Sequence, residues 1–336
     1  MPSQKQSPVL HHVLGSQIAR QPRSQLTATV RQALANKLPC LLQEKEFPCK
    51  DWKKFDKAFA CEWLTEQHVI LEPVQTLVGH QDWVFGAAWV TERHVATGSR
   101  DCSVKLWTIH DDPYSRSKPN MEPVISTKEH KGKVRDLKFC RQSNQLTTLG
   151  SDGTVKLWDR AMAPLRSFKM KFDKELVCMA ISDGLIAVGS QSHVTLLDPR
   201  LRKGEVRVIE SLDENQGVRS INFLEHLLSC GSGRGRISFY DLRASKYIPL
   251  ELDPDMTQAT CTGSLPRAPP LSAQRQYLQA GPGWLCQNDV FLEHFDGQPV
   301  YNACYAHAWD MTKTKLMCVG GPLAFGLKGC YMALWD

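Results

Sequence analysis

No stretch of this 336-residue chain approaches the run of about eighteen apolar residues that spans a bilayer as a helix, so no transmembrane helix is expected. Its first residues, with Pro2, Gln4, Gln6, His11 and His12, lack the basic-then-apolar build of a secretory leader, and the expected setting is intracellular. A net charge of +6 comes without any long Lys/Arg block interleaved with aromatics, which argues against a nucleic-acid arm. Neither nucleic acid nor membrane is therefore an expected partner. Cys and His do not recur in the close pairs that ligate zinc, so no metal and no cofactor is expected. The 12 cysteines are scattered, and Cys102, Cys178, Cys230 and Cys318 fall in predicted strands or their turns, which fits reduced core thiols better than a disulfide framework. Gly231–Gly235 is glycine-rich but has neither the strand-loop-helix setting nor the Lys of a phosphate loop, and no nucleophile stands beside a His. No catalytic residue is assigned, and no enzyme is expected.

What the chain does have is a phrase repeated with one internal clock. Gly79-His80, Thr97, Asp101 and Trp107 recur as His130, Thr148, Asp152 and Trp158, with each Asp six residues before its Trp. Around them, short strands of Val, Ile, Leu, Phe and Thr alternate with Gly, Asp, Ser and Asn turns, and five units align, beginning near Trp83, Val134, Val177, Val218 and Cys304. The expected fold is all-β, a WD-repeat β-propeller. In each complete set a buried His bridges a Thr hydroxyl and a turn Asp while the Trp indole donates, so these eight residues are structural. The third and fourth units carry Asp173 and Glu214 at the His position, and Leu197 and Tyr240 at the Trp position.

Residues 1–24 are polar and irregular and are expected to be disordered. From 25 to 56, Leu26, Val30, Ala33, Leu38, Leu41 and Leu42 recur near helical spacing, which predicts a short helix preceding the propeller of residues 57–336. The chain ends on the third strand of a blade, so the N-terminal region is the natural donor of an outermost strand. A Pro-containing insertion at about 249–300 is expected to be a loop.

In an up-and-down blade of strands a to d, the d–a and b–c connections share one face. Aligning the units puts Phe85, Arg135, Cys178 and Arg219 in one column beside the channel, with Lys133 two residues earlier beside Trp83 and Gly217. Arg100, Arg234 and Arg236 fall on the same face, offset by Asp136, Asp173, Glu175 and Glu214. Arg at a channel-lining position is costly to desolvate without an anion, so the column reads either as an ordinary solvated rim or as a pocket for an acidic ligand. On the opposite face Asp198 and Arg200 recur as Asp241 and Arg243, either turn ion pairs or a docking surface.

Runs such as GHQDWVFGAAW, VATGSRD, VGSQSHVTLLDPR, GVRSINFLEH, ISFYDLRA and VGGPLAFGLKGCYMALWD carry a resemblance over about Leu41 to Asp336. The chain resembles the damaged-DNA-binding-protein-1- and cullin-4-associated factor 12 group, WD-repeat substrate receptors of cullin-4 RING ubiquitin ligases. The resemblance implies a non-catalytic receptor whose c–d face, through Asp198, Arg200, Asp241 and Arg243, docks the damaged-DNA-binding protein 1 adaptor and through it cullin-4. It implies substrates with acidic, two-glutamate C-termini held by Arg100, Lys133, Arg135 and Arg219, and a cytoplasmic location with centrosomal and nuclear pools. The family has seven blades, whereas here Phe59–Leu64 and His68–Leu71 run almost directly into Pro73–Val78. About six blades are therefore expected, the first incomplete, and one further pocket lysine is missing. The alternative is a scaffold propeller that has lost adaptor or substrate binding with the missing blade.

Overall fold

Alternating apolar residues between Gly, Asp and Ser turns give each sheet of this chain one strand in contact with the next by a tight hairpin, and four strands make a blade. The computed structural model describes residues 38–46, 77–109, 122–170, 175–182, 184–213, 216–250, 276–295, 298–310, 312–324 and 326–336. Residues 1–24, most of 25–56, and the expected strands Phe59–Leu64 and His68–Leu71 lie outside them.

The described strands form five antiparallel sheets. The first blade runs Val84–Trp89, His94–Ser99, Val104–Thr108 and Ile125–Thr127. The second runs Val134–Cys140, Gln145–Gly150, Thr154–Trp158 and Pro164–Lys169. The third runs Leu176–Ser182, Leu185–Ser190, His193–Leu197 and Glu205–Glu210. In the fourth, Val218–Leu224, Leu227–Ser232 and Arg236–Asp241 are followed by an outer edge split between Lys246–Tyr247 and Tyr277–Gln279. In the fifth, Asn302–Trp309, Leu316–Pro322 and Gly329–Trp335 are edged by Trp284–Leu285 and by the N-terminal strand Glu44–Glu46. The described residues thus build five blades, not about six: the repeat spacing counts complete units, and five such units are complete among the described residues.

The fifth blade takes its outer strand from the far end of the chain, with Glu44 paired to Trp335 and Glu46 to Ala333. Residues 38–41, just before, are helical, and Leu38 and Leu42 join the apolar cluster between the fourth and fifth blades. The insertion is more than a loop, since its returning half supplies two edge strands, Tyr277–Gln279 and Trp284–Leu285, and a short helix, Asp289–His294. The carboxylates of Glu44 and Glu46 receive the amides of Gly281 and Gly283 at 2.9 and 2.7 Å, which ties the N-terminal strand to that return.

Core packing runs from blade to blade. Val134 and Leu137 of the second inner strand pack on Ala96, Val104 and Leu106 of the first blade, and a Cβ on Gly98 would lie 2.5 Å from Val134, so only glycine admits this approach. Buried polar groups staple the same seams. Asp136 accepts from the Met179 amide of the next blade at 2.8 Å, and Ser220 and Ser229 bond His307 across the fourth seam at 2.7 and 2.8 Å. Val134, Leu176 and Val218, the equivalent first residues of three inner strands, are 0%, 3% and 1% exposed. Val84 in the first blade is 50% exposed and Trp89 52%, so among the described residues this face is not covered as the others are.

Both tetrads form as expected. Trp158 Nε1 donates to Thr148 Oγ1 at 2.9 Å, that hydroxyl bonds His130 Nε2 at 2.8 Å, and His130 Nδ1 faces Asp152 at 3.2 Å. The first blade repeats this through Trp107, Thr97, His80 and Asp101 at 2.7, 2.7 and 3.0 Å. Because an indole N–H can only donate, the chain of protons runs Trp to Thr to His to Asp, with a neutral His protonated on Nδ1. A Cβ on Gly150 would meet His130 Nδ1 at 2.3 Å, so this glycine makes room for the ring. Burial pushes His130 below its ordinary 6.5 despite the attraction of Asp152. Burial alone would raise Asp152, but bonds from Thr154, the Lys131 amide and His130 outweigh it and hold the carboxyl below 3.8.

Two predictions follow from these packing and bonding patterns. The folded state resists protonating His130, so its stabilising share is complete above pH 6.5 and is lost as pH falls below that value; Asp152 adds a further loss below 3.8. The melting temperature falls between pH 7.5 and 5.5, His130→Gln flattens that fall, and Thr148→Val costs about 2 kcal/mol in urea unfolding by stranding two buried groups. Second, Val134→Ala costs about 2 kcal/mol in the same assay, whereas Val84→Ala costs less than about 0.5 kcal/mol.

Candidate functional site

A β-bulge opens the inner strand of every blade. The register slips between Val84 and Gly86, Val134 and Asp136, Leu176 and Cys178, Val218 and Ser220, and Cys304 and Ala306. A bulge leaves its extra residue out of the ladder and re-aims its side chain. The residues so released are Phe85, Arg135, Val177, Arg219 and Tyr305. The column read from the sequence is therefore right in three blades and one residue late in the third, where Cys178 pairs with Gly189 inside the sheet and is buried. Tyr305 was missed, although continuing the column into the fifth unit would have found it.

The d–a and b–c connections do share a face. Arg100 donates its amide to the Trp83 carbonyl at 2.8 Å, Ser151 to Lys133 at 2.8 Å, and Gly233 to Gly217 at 3.2 Å. These three bonds put Arg100 and Lys133 beside the bulge column. Arg135 lies 5.2 Å over the Phe85 ring and Arg100 5.8 Å over Trp83, so each guanidinium rests on an aromatic of the first blade. Arg135 Nη2 also donates to Glu175, while its Nε is buried without a hydrogen-bond partner among the described residues. Arg219 folds back to the Gln216 carbonyl at 3.3 Å, beside Gly217. Lys133 has no carboxylate partner among the described residues.

The expected offsetting acids behave differently from one another. Asp136 is committed to the amides of Leu137 and Met179 at 2.8 Å each, and burial pushes its carboxyl up despite Lys138 nearby. It does not neutralise the column. Glu175 does pair with Arg135, and Asp173 and Glu214 lie outside the described residues.

Arg236, counted as a cation of this face, is tied up. Its Nη1 donates to Asp213 at 2.6 Å, its guanidinium lies 4.3 Å over Tyr277, and Asp213 also receives the Ser232 hydroxyl. In register Arg236 stands where Ser103 and Thr154 serve the tetrad Asp, so the fourth blade inverts the tetrad: the acid comes from the d–a connection and the base from the strand. An Arg at that position was the available signal for an acidic partner. Arg234 remains exposed.

On the opposite face the two repeated turns differ. Arg200 makes a two-point pair with Asp198, Nε to Oδ1 at 2.9 Å and Nη2 to Oδ2 at 2.7 Å, and the hydrogen bonds of Arg200 hold the Asp198 carboxyl down at about 2. Asp241 Oδ1 receives the backbone amides of Arg243 and Ala244 at 2.8 and 3.0 Å and its Oδ2 lies 3.9 Å from His226 Nε2, while the exposed Arg243 guanidinium has no carboxylate among the described residues. A groove of about 520 Å³ opens between the second and third blades, with Leu157, Leu165 and Ile181 on its walls and Arg166 and Arg200 on its rim. Among the described residues, no group of three or more His, Cys, Asp or Glu side chains could hold a metal ion.

Five antiparallel blades, three of four strands and two of five, with two complete His-Thr-Asp-Trp tetrads define a WD-repeat β-propeller. Residues 68–336 match the model of the DDB1- and CUL4-associated factor 12 beta propeller, and the chain belongs to that family. It is also similar to the ribosome biogenesis protein WDR12 homolog of Aedes aegypti, 26% identical over 57% of this chain and 48% of that protein. The corresponding protein of Culex quinquefasciatus is 25% identical over 54% of this chain and 47% of its own length. The chain thus spans about half the length of the curated relatives it matches. Among solved structures, the computationally designed Ika4 protein aligns with a TM-score of 0.41 at 19% identity, covering 52% of this chain and 99% of that one.

Asp213→Asn removes the charge facing Arg236 and is expected to cost about 2 kcal/mol or more in urea unfolding, because Asp213 is buried and serves two donors. Asp198→Asn, at a pair whose Arg200 partner is exposed and whose Oδ1 bonds the asparagine keeps, should cost less than about 1 kcal/mol.

Proposed function

We propose that this chain is the substrate-recognition subunit of a cullin-4 RING ubiquitin ligase and captures proteins whose C-termini end in two glutamates. The observation that carries this reading is the pair of guanidiniums at bulge positions, Arg135 and Arg219, with Lys133 and Arg100 on the same face. Two terminal glutamates bring two side-chain carboxylates and the chain's own carboxylate into a few ångströms. Such a ligand needs several cations at once, and planar Arg forks with a mobile Lys supply them. The propeller is a receptor without chemistry of its own: holding a substrate near a charged conjugating enzyme raises its effective concentration there.

The adaptor half of the reading rests on family membership and on the opposite face. The adaptor is the damaged-DNA-binding protein 1, docking on Arg200, Arg243 and the apolar groove between the second and third blades, with Asp198 and Asp241 shaping the turns. A groove with apolar walls and a cationic rim suits an apolar anchor flanked by acids. Ribosome biogenesis, named for the mosquito relatives, is not carried over, since the matches cover less than half of each of those proteins.

Arg135→Glu with Arg219→Glu is expected to weaken binding of a peptide ending in two glutamates about 100-fold or more, measured by fluorescence anisotropy, while adaptor co-purification persists. Arg200→Glu with Arg243→Glu should do the reverse. Unchanged peptide affinity in the first variant sinks the pocket, and a wild-type chain that brings down no adaptor is the scaffold alternative.

A further inference from the structure

Two of the four proposed tail-binding cations already face carboxylates of the chain itself. Arg135 Nη2 bonds the Glu175 side chain, and Arg100 Nε lies 3.5 Å from Asp82. Neither pair is sealed from solvent, the Glu175 side chain being 49% exposed and that of Asp82 38%. Lys133 and Arg219 face no carboxylate among the described residues. The site is thus half occupied, and by the same functional group that the proposed ligand carries.

We propose that Glu175 is an internal competitor for the acidic tail, standing on Arg135 where a glutamate of the ligand would stand and yielding to it on binding. This inference rests on the tail-binding reading above. Three observations favour displacement over a positioning role. Glu175 enters from the residue just before the third inner strand, at the solvent edge, so its side chain can swing away without disturbing a ladder. Arg135 does not depend on Glu175 for its place, because its guanidinium also rests 5.2 Å over Phe85. An exposed ion pair is worth little by itself, so a ligand bearing several carboxylates exchanges with it at small cost. Being tethered, Glu175 is always present at high local concentration, which holds off stray single anions.

The test is Glu175→Gln, which keeps the side-chain shape and one acceptor but removes the charge. A peptide ending in two glutamates and one ending in two glutamines are titrated against wild type, Glu175→Gln and Glu129→Gln by fluorescence anisotropy, with melting curves to check folding. Glu129 lies on the same face and pairs with Lys156 at 3.6 Å, so its variant changes the local charge equally without touching Arg135. A competitor predicts that Glu175→Gln binds the glutamate peptide about fivefold tighter, that Glu129→Gln changes it by less than about twofold, and that the glutamine peptide is indifferent to both. Weaker or unchanged binding in Glu175→Gln overturns the inference while leaving the tail-binding reading intact. Equal tightening in both variants overturns it as well, since bulk charge then suffices. If the wild type does not distinguish the two peptides, the tail-binding reading itself falls and the competitor with it.

Discussion

Each inner strand has to serve two neighbours, burying one face against the preceding blade and meeting the following blade with the other. Regular pairing spends nearly every side chain on those two seams. The bulge at the start of each described inner strand is the exception, because its extra residue is withdrawn from the ladder. Phe85, Arg135, Val177, Arg219 and Tyr305 are therefore the positions at which composition is free of the core. Two of the five being Arg is a choice that packing did not require.

The seams explain which polar residues are available to a ligand. Asp136 begins a step from Arg135 yet is buried in a staple to the Met179 amide, and Arg236 is consumed by Asp213 and Tyr277. Glu175, at the solvent edge, is left to face Arg135. Charge on the same face of the same blades is thus divided by depth: deep groups hold blades together, and shallow ones remain exchangeable. The tetrads belong to the first kind. Their His, Thr and Asp bond one another and the turn beside them, and where the third and fourth blades lack the set, Leu197 and Tyr240 fill the Trp position and an inverted acid-base pair holds the fourth.

Much of the site was legible because the repeat supplies a ruler. His80 to Trp107 and His130 to Trp158 set the columns, and the columns brought Arg135 over Arg219 with Lys133 and Arg100 beside them. The ruler slipped where local geometry changes without a change in pattern. Cys178 was placed in the column and Val177 belongs there, since a bulge has no residue signature of its own. The paired turns at Asp198 and Asp241 look alike in sequence, yet only Arg200 closes on its Asp. Each Asp accepts the amide two residues on, at 2.9 and 2.8 Å, but Asp241 turns its other oxygen toward the buried His226 while Arg243 stays exposed. The described residues build five blades where about six were expected, and the strands expected for the further blade lie outside them.

By itself the sequence determined the all-β repeat, the tetrad chemistry, the face to which each cation belongs and the need for an outer strand from elsewhere. These follow from spacing, because period and turn position decide which side chains share a face. Only the tertiary structure decided that Glu44–Glu46 is the donated strand, that five described blades pack in series with Val84 and Trp89 about half exposed, and that Asp136, Asp213 and Glu175 have three different fates. The physical reason is depth. Burial and cross-blade distance set whether a charge is a staple, a paired core group or an exchangeable surface contact, and neither quantity is written along the chain.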